Sequence, residues 1–417
     1  MKARYVAQHL SDADNSQWGR IIVFTGARQT GKTTLVRNHY ADFPYVSVED
    51  PVMRTQYARL TSAQWHAMFP KAILDEVQKE PVLIESVKSV YDQWPDARYV
   101  LLGSSQLLLL DKVHESLSGR CLIKELFPLS VPELATNDWS DTVPDSPFQL
   151  MLLSGKVPVF LPTFLLHPRH DVISEAWRHY VTYGGYPALT EMSVSETDRR
   201  TWLATYVRTY LERDVRDLVA FRDLEPYIKL QQYLAFQTSG IVNATNIAND
   251  IGVSAKTVMR YLNYLQISYQ ALLLPAWTKN PAKRLVKSPK MHYLDNGVLQ
   301  AVLHKQSPMP SGGEFESLVV AELYKQAKQC GADAQFFHLR TSDGKEVDLL
   351  IETPSGYFAF EIKKTEHAVR EDARHLFSLA PILDKPLVAS FVISQDYETH
   401  DFDNDVYGVC AEMLVGA

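Results

Sequence analysis

Apolar residues along this chain recur in two rhythms. Through about residue 126, short apolar runs alternate with longer stretches in which apolar positions return every three or four residues. The runs Ile21–Phe24, Tyr45–Val48, Ala72–Leu74, Tyr99–Leu102 and Cys121–Leu126 read as buried strands. Strand and helix in alternation predict a parallel sheet covered on both faces. Residues 136–147 are polar and carry proline, as a loop does, whereas 150–166 is apolar but broken by Gly155, Lys156, Pro158 and Pro162. That stretch reads as a buried or partner-facing segment. Helical spacing resumes over Ser174–Tyr183 and Thr197–Leu218, with Gly184, Gly185 and Pro187 as breakers between them.

A different grammar follows. Asn243–Asp250 reads as a short helix, Ile251-Gly252-Val253 as a turn, and Ser254 as the N-cap of a helix running to about Leu265. This is the order of a helix-turn-helix. Leu272–Trp277 reads as a strand. From about Gly312 the pattern becomes helix (Phe315–Ala327) and then strands at Gln335–Leu339, Glu346–Ile351 and Tyr357–Ile362.

Chemistry enters at the first strand. Gly26-Ala27-Arg28-Gln29-Thr30-Gly31-Lys32-Thr33, followed by Thr34, matches the loop that wraps nucleotide phosphates, set between a strand and a helix. Backbone N–H groups and the positive helix end would face the phosphates. Lys32 would reach the β- and γ-phosphates, and the Thr33 hydroxyl would ligate Mg²⁺. The strand ending Leu74-Asp75-Glu76 supplies the complement: Asp75 for the Mg²⁺ shell and Glu76 to polarise the attacking water. Ser104 (or Ser105), at the carboxyl end of the next strand, would sense the γ-phosphate. Arg120 would act on a neighbouring subunit's nucleotide, or else is an ordinary surface arginine. Arg208, Arg213 and Arg216 would approach the phosphates or pair with the acidic residues around them.

These segments resemble a prokaryotic branch of AAA+ ATPases that carries a C-terminal domain long labelled as of unknown function. The likeness rests on the phosphate loop, Leu74-Asp75-Glu76-Val77-Gln78, Leu102-Gly103-Ser104-Ser105, Leu117-Ser118-Gly119-Arg120, Tyr183-Gly184-Gly185-Tyr186-Pro187, Arg213-Asp214, Lys287-Ser288-Pro289-Lys290 and Tyr293-Leu294-Asp295-Asn296-Gly297. It implies an AAA+ core, a DNA-binding winged helix, a nuclease-like end and a homo-oligomer, for which a hexameric ring is one form.

On the helix-turn-helix, Lys256, Thr257 and Arg260 fall where DNA contacts are made. Lys279, Lys283, Arg284, Lys287 and Lys290 form a basic cluster suited to a wing on phosphates; protein contact is the alternative use. The carboxyl-terminal order of elements resembles the PD-(D/E)xK nucleases. On that likeness Asp348 and Glu361 would bind Mg²⁺ with Glu316 assisting, and Lys363 would orient or deprotonate the attacking water. Glu361 and Lys363, two apart on a strand, face the same side. Asp343-Gly344-Lys345 also fits the short motif but lies in a turn, so the order of elements carries more weight than the motif.

Composition adjusts this reading. Of the 417 residues, 46% are hydrophobic and 22% charged, as in a soluble globular protein, and the net charge is −7. DNA binding would therefore depend on local positive charge. Cys121, Cys330 and Cys410 are too few for a disulfide framework, which suits a reducing cytoplasm. No signal peptide or membrane span is legible at the N-terminus or at Leu107–Leu110.

The expected fold class is α/β in four parts: an AAA+ P-loop core (1–170), a helical lid (171–235), a winged helix-turn-helix (236–310) and an α/β restriction-endonuclease-like domain (311–417). The expected function is ATP and Mg²⁺ turnover coupled to DNA binding or processing. The alternative is an ATP-dependent switch that recruits a protein partner.

Overall fold

In the computed structural model, which describes residues 1–10, 16, 19–103, 113, 115–158, 167–211, 224–284, 286–305, 307, 309–341 and 343–417, five strands form a parallel sheet. They are β1 (Ile21–Thr25), β2 (Tyr45–Ser47), β3 (Lys71–Asp75), β4 (Arg98–Leu102) and β5 (Leu122–Glu125), in the order β2-β3-β4-β1-β5. β1 is buried at every position, as expected of an inner parallel strand covered on both faces. Ile21, Val23, Leu74 and Leu101 pack with Leu83, Val87 and Val90 from the helix Val82–Gln93. Because all the strands run the same way, the phosphate loop, Asp75-Glu76 and Leu126 collect at one edge of the sheet.

By its contacts the chain divides into two compact units. The smaller, Arg4–Pro128, is built on the parallel sheet; the larger contains Met1–Ala3 and the described residues from Leu129 onward. The physical reason is a set of buried polar contacts that cross the expected boundaries. Val131 N–H donates to Glu322 Oε1 (2.7 Å), Ser146 Oγ to Gln326 Oε1 (2.6 Å) and Gly185 N–H to Asp295 Oδ2 (2.8 Å). Leu129–Ser154 and the helices expected as a lid thus belong to the larger unit. There the helices His170–Tyr183 and Glu196–Tyr206 pack on Asn296–Val302.

Within the larger unit, helices Ala244–Ile251 and Ala255–Ile267 meet through a turn at Gly252. Asn243 caps the first helix through its side-chain oxygen, Gly252 ends it in the left-handed region (φ 76°), and Ser254 Oγ caps the second. An antiparallel pair follows, β6 (Ala271–Leu274) with β7 (Lys290–Tyr293). The last sheet contains β8 (Gln335–Arg340), β9 (Glu346–Thr353), β10 (Gly356–Ile362), β11 (Leu387–Ser394), β12 (His400–Asp401) and β13 (Val406–Cys410). Its order is β12-β13-β11-β10-β9-β8. Strand β9 is antiparallel to both β8 and β10, while β10, β11 and β13 run parallel. The helix Gly312–Gln329 packs against β7 and β10. Among the described residues no helix is long and apolar enough to cross a membrane.

Candidate functional site

The phosphate loop leaves β1 at Gly26, whose φ of 139° few side-chain-bearing residues adopt. A Cβ there would lie 2.1 Å from the Leu126 carbonyl oxygen, because β5 runs beside β1 and Leu126 N–H donates to Thr25 O at 2.8 Å. The loop itself is cross-tied. Thr30 Oγ1 donates to Ala27 O (2.9 Å), and Lys32 Nζ donates to the carbonyls of Gly26 (2.8 Å) and Ala27 (2.7 Å). Gln29 and Gly31 both take positive φ, which curls Gly26–Gly31 around the N-terminus of the helix Lys32–His39. Arg28 and Thr34 complete the predicted loop, and Thr34 lies within that helix.

At the end of β3, Asp75 Oδ2 accepts from the Thr33 hydroxyl at 3.1 Å. The two residues predicted for the Mg²⁺ shell therefore already touch. Tyr45, at the start of β2, also donates to Asp75 Oδ2, and burial and then this carboxylate hold its phenol above the usual range. Glu76 follows in the left-handed region (φ 57°), and its Oε2 accepts from Gln78 Nε2 at 2.6 Å. A bulky non-glycine residue held there stores backbone strain of about 1–3 kcal/mol. Such strain collects where a side chain must be aimed.

Arg120 folds onto its own surface. Its Nε and Nη2 grip the two oxygens of Asp92 at 2.8 and 3.3 Å. Ser104, like Ser105, Arg213 and Arg216, lies outside the described residues.

The basic residues of the larger unit separate into two groups. Lys256, Arg260, Lys279, Lys283 and Lys287 are exposed, and Thr257 is half-buried with its hydroxyl against Ser254 Oγ (2.9 Å). Arg284 departs from the expectation of a DNA contact. Its Nη1 pairs with Glu352 at 3.2 Å, its Nε donates to Thr278 O at 2.8 Å, and its guanidinium lies over Phe337 and Trp277. Lys290 departs further. It is 3% exposed, with Nζ 2.6 Å from Glu316 Oε1 and 2.9 Å from Asp348 Oδ1. The lack of nearby acidic residues in the sequence pointed to a solvated wing; the acids come from a helix and a strand further along the chain.

The predicted carboxyl-terminal set does assemble. Asp348 on β9 accepts from the Ile362 N–H at 3.0 Å, and Lys363 Nζ donates to Glu361 Oε1 at 2.6 Å. Burial and the neighbouring Asp348 raise the Glu316 carboxyl to about 8 and that of Glu361 to about 7. Burial works against the charge on Lys363, but Glu361, Asp348 and Glu316 together outweigh it and raise the ammonium's pKa. Among the described residues, no group of three or more His, Cys, Asp or Glu side chains is arranged to hold a metal ion. Mg²⁺ therefore does not fit the predicted ligands Glu316, Asp348 and Glu361 as they stand, because the Lys290 ammonium lies between two of them.

Three family models match the chain: an AAA domain over residues 19–135, a domain of unknown function (DUF8612) over 174–308 and another (DUF4143) over 311–412. The first coincides with the parallel sheet and its phosphate loop. Residues 19–135 form an AAA-like P-loop ATPase domain. It binds ATP, with Mg²⁺ as the usual cofactor. Relatives in Mycobacterium bovis and Mycobacterium tuberculosis are each 26% identical over 354 residues, which is 83% of this chain and 70% of theirs. A Haemophilus influenzae relative is 20% identical over 376 residues, 83% of this chain and 84% of its own. Among solved structures, a Walker-type ATPase of Pyrococcus abyssi aligns at 13% identity over 71% of this chain and 94% of its own, with a TM-score of 0.45. The DNA clamp loader delta protein of Bacillus subtilis aligns at 12% identity over 78% and 98%, with a TM-score of 0.25.

Sequence reasoning missed Tyr45, Gln78 and Asp92 as partners of the ATPase residues. Gln78 lies two residues from Glu76 and was legible as a polar residue beside the acidic pair. Tyr45 and Asp92 depend on which strands and helices become neighbours, and no local signal carries that.

Proposed function

We propose that the chain hydrolyses ATP and couples turnover to DNA bound by the exposed basic face of the larger unit. The observation that carries the ATPase part is the Thr33–Asp75 contact across the sheet edge, with Glu76 next in sequence and held by Gln78. The loop N–H groups and Lys32 would hold the phosphates, Lys32 exchanging the carbonyls of Gly26 and Ala27 for phosphate oxygens. Thr33 and Asp75 are the residues that would hold Mg²⁺, which when bound supplies charge neutralisation at the phosphates. Glu76 would orient the attacking water and take its proton, with Gln78 fixing the carboxylate. Ser104 would sense the γ-phosphate. Arg120 would leave Asp92 to reach the nucleotide of a neighbouring copy in a homo-oligomer.

Support for the DNA part comes from the capped helix pair followed by the antiparallel β6–β7 pair, an arrangement that reads as a winged helix. Lys256, Thr257 and Arg260 stand at the start and on the outer face of its second helix, with Lys279, Lys283 and Lys287 in the connection between the strands. The test is ATP hydrolysis with and without duplex, forked and single-stranded DNA, beside Lys32→Ala and Lys256→Glu/Arg260→Glu. DNA-stimulated turnover is expected, lost in Lys32→Ala. Reversing the two charges should weaken binding and lower the salt slope by about 1 for each phosphate contact removed. Turnover and binding indifferent to every DNA would defeat the coupling.

One observation favours a second reading, an ATP-dependent switch that recruits a protein partner. Arg284 and Lys290 are withdrawn from the basic face into ion pairs, which leaves a weaker positive patch on a chain of net charge −7. Salt-insensitive, DNA-independent turnover would select it.

A further inference from the structure

The carboxyl-terminal carboxylates have the elements of a metal centre and a different occupant. Glu316 comes from the helix Gly312–Gln329, Asp348 from β9 and Glu361 from β10, and Lys290 projects from β7 into their midst. Its Nζ lies 2.6 Å from Glu316, 2.9 Å from Asp348 and 4.0 Å from Glu346, and its charge also acts on Glu361. A divalent ion needs carboxylate oxygens at roughly 2.0–2.6 Å in a convergent shell. An ammonium already within hydrogen-bonding distance of two of those carboxylates takes both the space and the charge that the ion would use.

We infer that Lys290 is the resident cation of this centre: its ammonium replaces the divalent ion, so the cluster of Glu316, Asp348 and Glu361 holds the fold together and does not cleave DNA.

The lysine is fixed there. Leu274 pairs with Lys290 in the β6–β7 register, Met291 N–H donates to Gly240 O at 3.0 Å, and Val242 N–H donates to Pro289 O at 2.8 Å. Tyr293, three residues on, donates its N–H to Ser317 Oγ (3.0 Å) and its hydroxyl to Gln231 O (2.7 Å). The strand carrying Lys290 is thus bound on both sides of it, as a structural tie requires and a removable plug does not. The charge arithmetic agrees. Asp348, whose charge raises both neighbouring carboxyls, is buried 2.9 Å from the Lys290 ammonium, and removing that cation leaves its charge unpaired, which burial penalises heavily. This inference does not depend on whether DNA alters ATP turnover, because it concerns residues outside the ATPase domain.

The test uses the full chain without nucleotide, with Mn²⁺ binding read by electron paramagnetic resonance and stability by thermal melting. The wild type is expected to bind no Mn²⁺ that Asp348→Asn removes. Lys290→Ala should gain a site at least about tenfold tighter than any the wild type shows, lost again in Lys290→Ala/Asp348→Asn. Lys290→Met should lower the melting midpoint by roughly 6–20 °C. Lys290→Met/Glu316→Gln/Asp348→Asn should recover most of that loss, and this arm stands even where Lys290→Ala fails to fold. Asp348-dependent Mn²⁺ binding in the wild type would overturn the inference. So would a folded Lys290→Ala that gains no site, or a neutralised variant no more stable than Lys290→Met.

Discussion

Asp295 accepts the backbone N–H of Gly185 at 2.8 Å, joining residues 110 apart in the chain. The same carboxylate caps the helix Asn296–Val302 by accepting from Val298 N–H at 3.1 Å. Gly184 lies against it at φ 76°, where a Cβ would fall 2.1 Å from Asp295 Oδ1. The Gly-Gly-Tyr-Pro and Asp-Asn-Gly segments, which look like two separate signatures in the sequence, are the two halves of one buried contact.

Replacing Gly184 with Ala should therefore destabilise the larger unit by about 2–4 kcal/mol, through the clash and the positive φ together. Asp295→Ala removes the obstacle as well as the acceptor. In chemical denaturation the double variant should cost clearly less than the sum of the singles. Strict additivity would show that the two residues do not act on one another.

Glu76→Gln separates binding from turnover. The amide keeps the shape and loses the base, so ATP affinity should change little while the hydrolysis rate falls by about 10²–10⁴. Gln78→Ala should give a smaller loss of rate, also at unchanged affinity, because it removes one hydrogen bond to Glu76 and keeps the carboxylate. Single-turnover hydrolysis with parallel nucleotide titration reads both. An unchanged rate in Glu76→Gln would assign the water-orienting role elsewhere.

His179 predicts a pH dependence. Burial, then the charges of Arg199 and Lys2, lower its pKa from 6.5 to about 4, and its Nε2 is buried without a hydrogen-bond partner among the described residues. The unfolded chain takes up a proton below about 6.5 while the folded chain does not until about 4, so stability falls with acidification across that window. The contribution is about 3 kcal/mol at most. In melts from pH 7 to pH 4, His179→Gln should lose stability less steeply than the wild type. Parallel curves would show that His179 titrates alike in both states.

Arg120 and Asp92 form a two-toothed surface pair, and action of Arg120 on a neighbouring copy's nucleotide requires that pair to open. Arg120→Ala should then lower turnover by about 10³–10⁵ under conditions where the chain self-associates. Asp92→Asn should leave turnover intact or raise it, with the melting midpoint unchanged. Equal turnover in wild type and Arg120→Ala would leave Arg120 as a surface residue.

Local signals determined the ATPase domain. The strand before Gly26, the glycine spacing, and the apolar run ending in Asp75 and Glu76 each depend on neighbouring residues alone, and the sheet edge brings them together because parallel strands end on the same side. The capped helix pair was legible for the same reason: Asn243, Gly252 and Ser254 act on backbone groups within a few positions of themselves. That Asp348 and Glu361 lie on neighbouring strands was also legible, through the order of elements.

Tertiary structure decided the rest, because charge and burial are properties of neighbours in space. Lys290 stands among basic residues in the sequence and among Glu316 and Asp348 in the fold, and only the second setting fixes what its ammonium does. Arg284 is likewise basic in the sequence and spent on Glu352 in the fold. That Leu129–Ser154 belongs to the larger unit follows from contacts such as Val131 with Glu322, whose partners lie 191 residues apart. A sequence pattern reports how each segment meets its own backbone. Which segment then lies against which is set by packing, and in this protein packing turns a row of lysines into one buried cation and a basic surface.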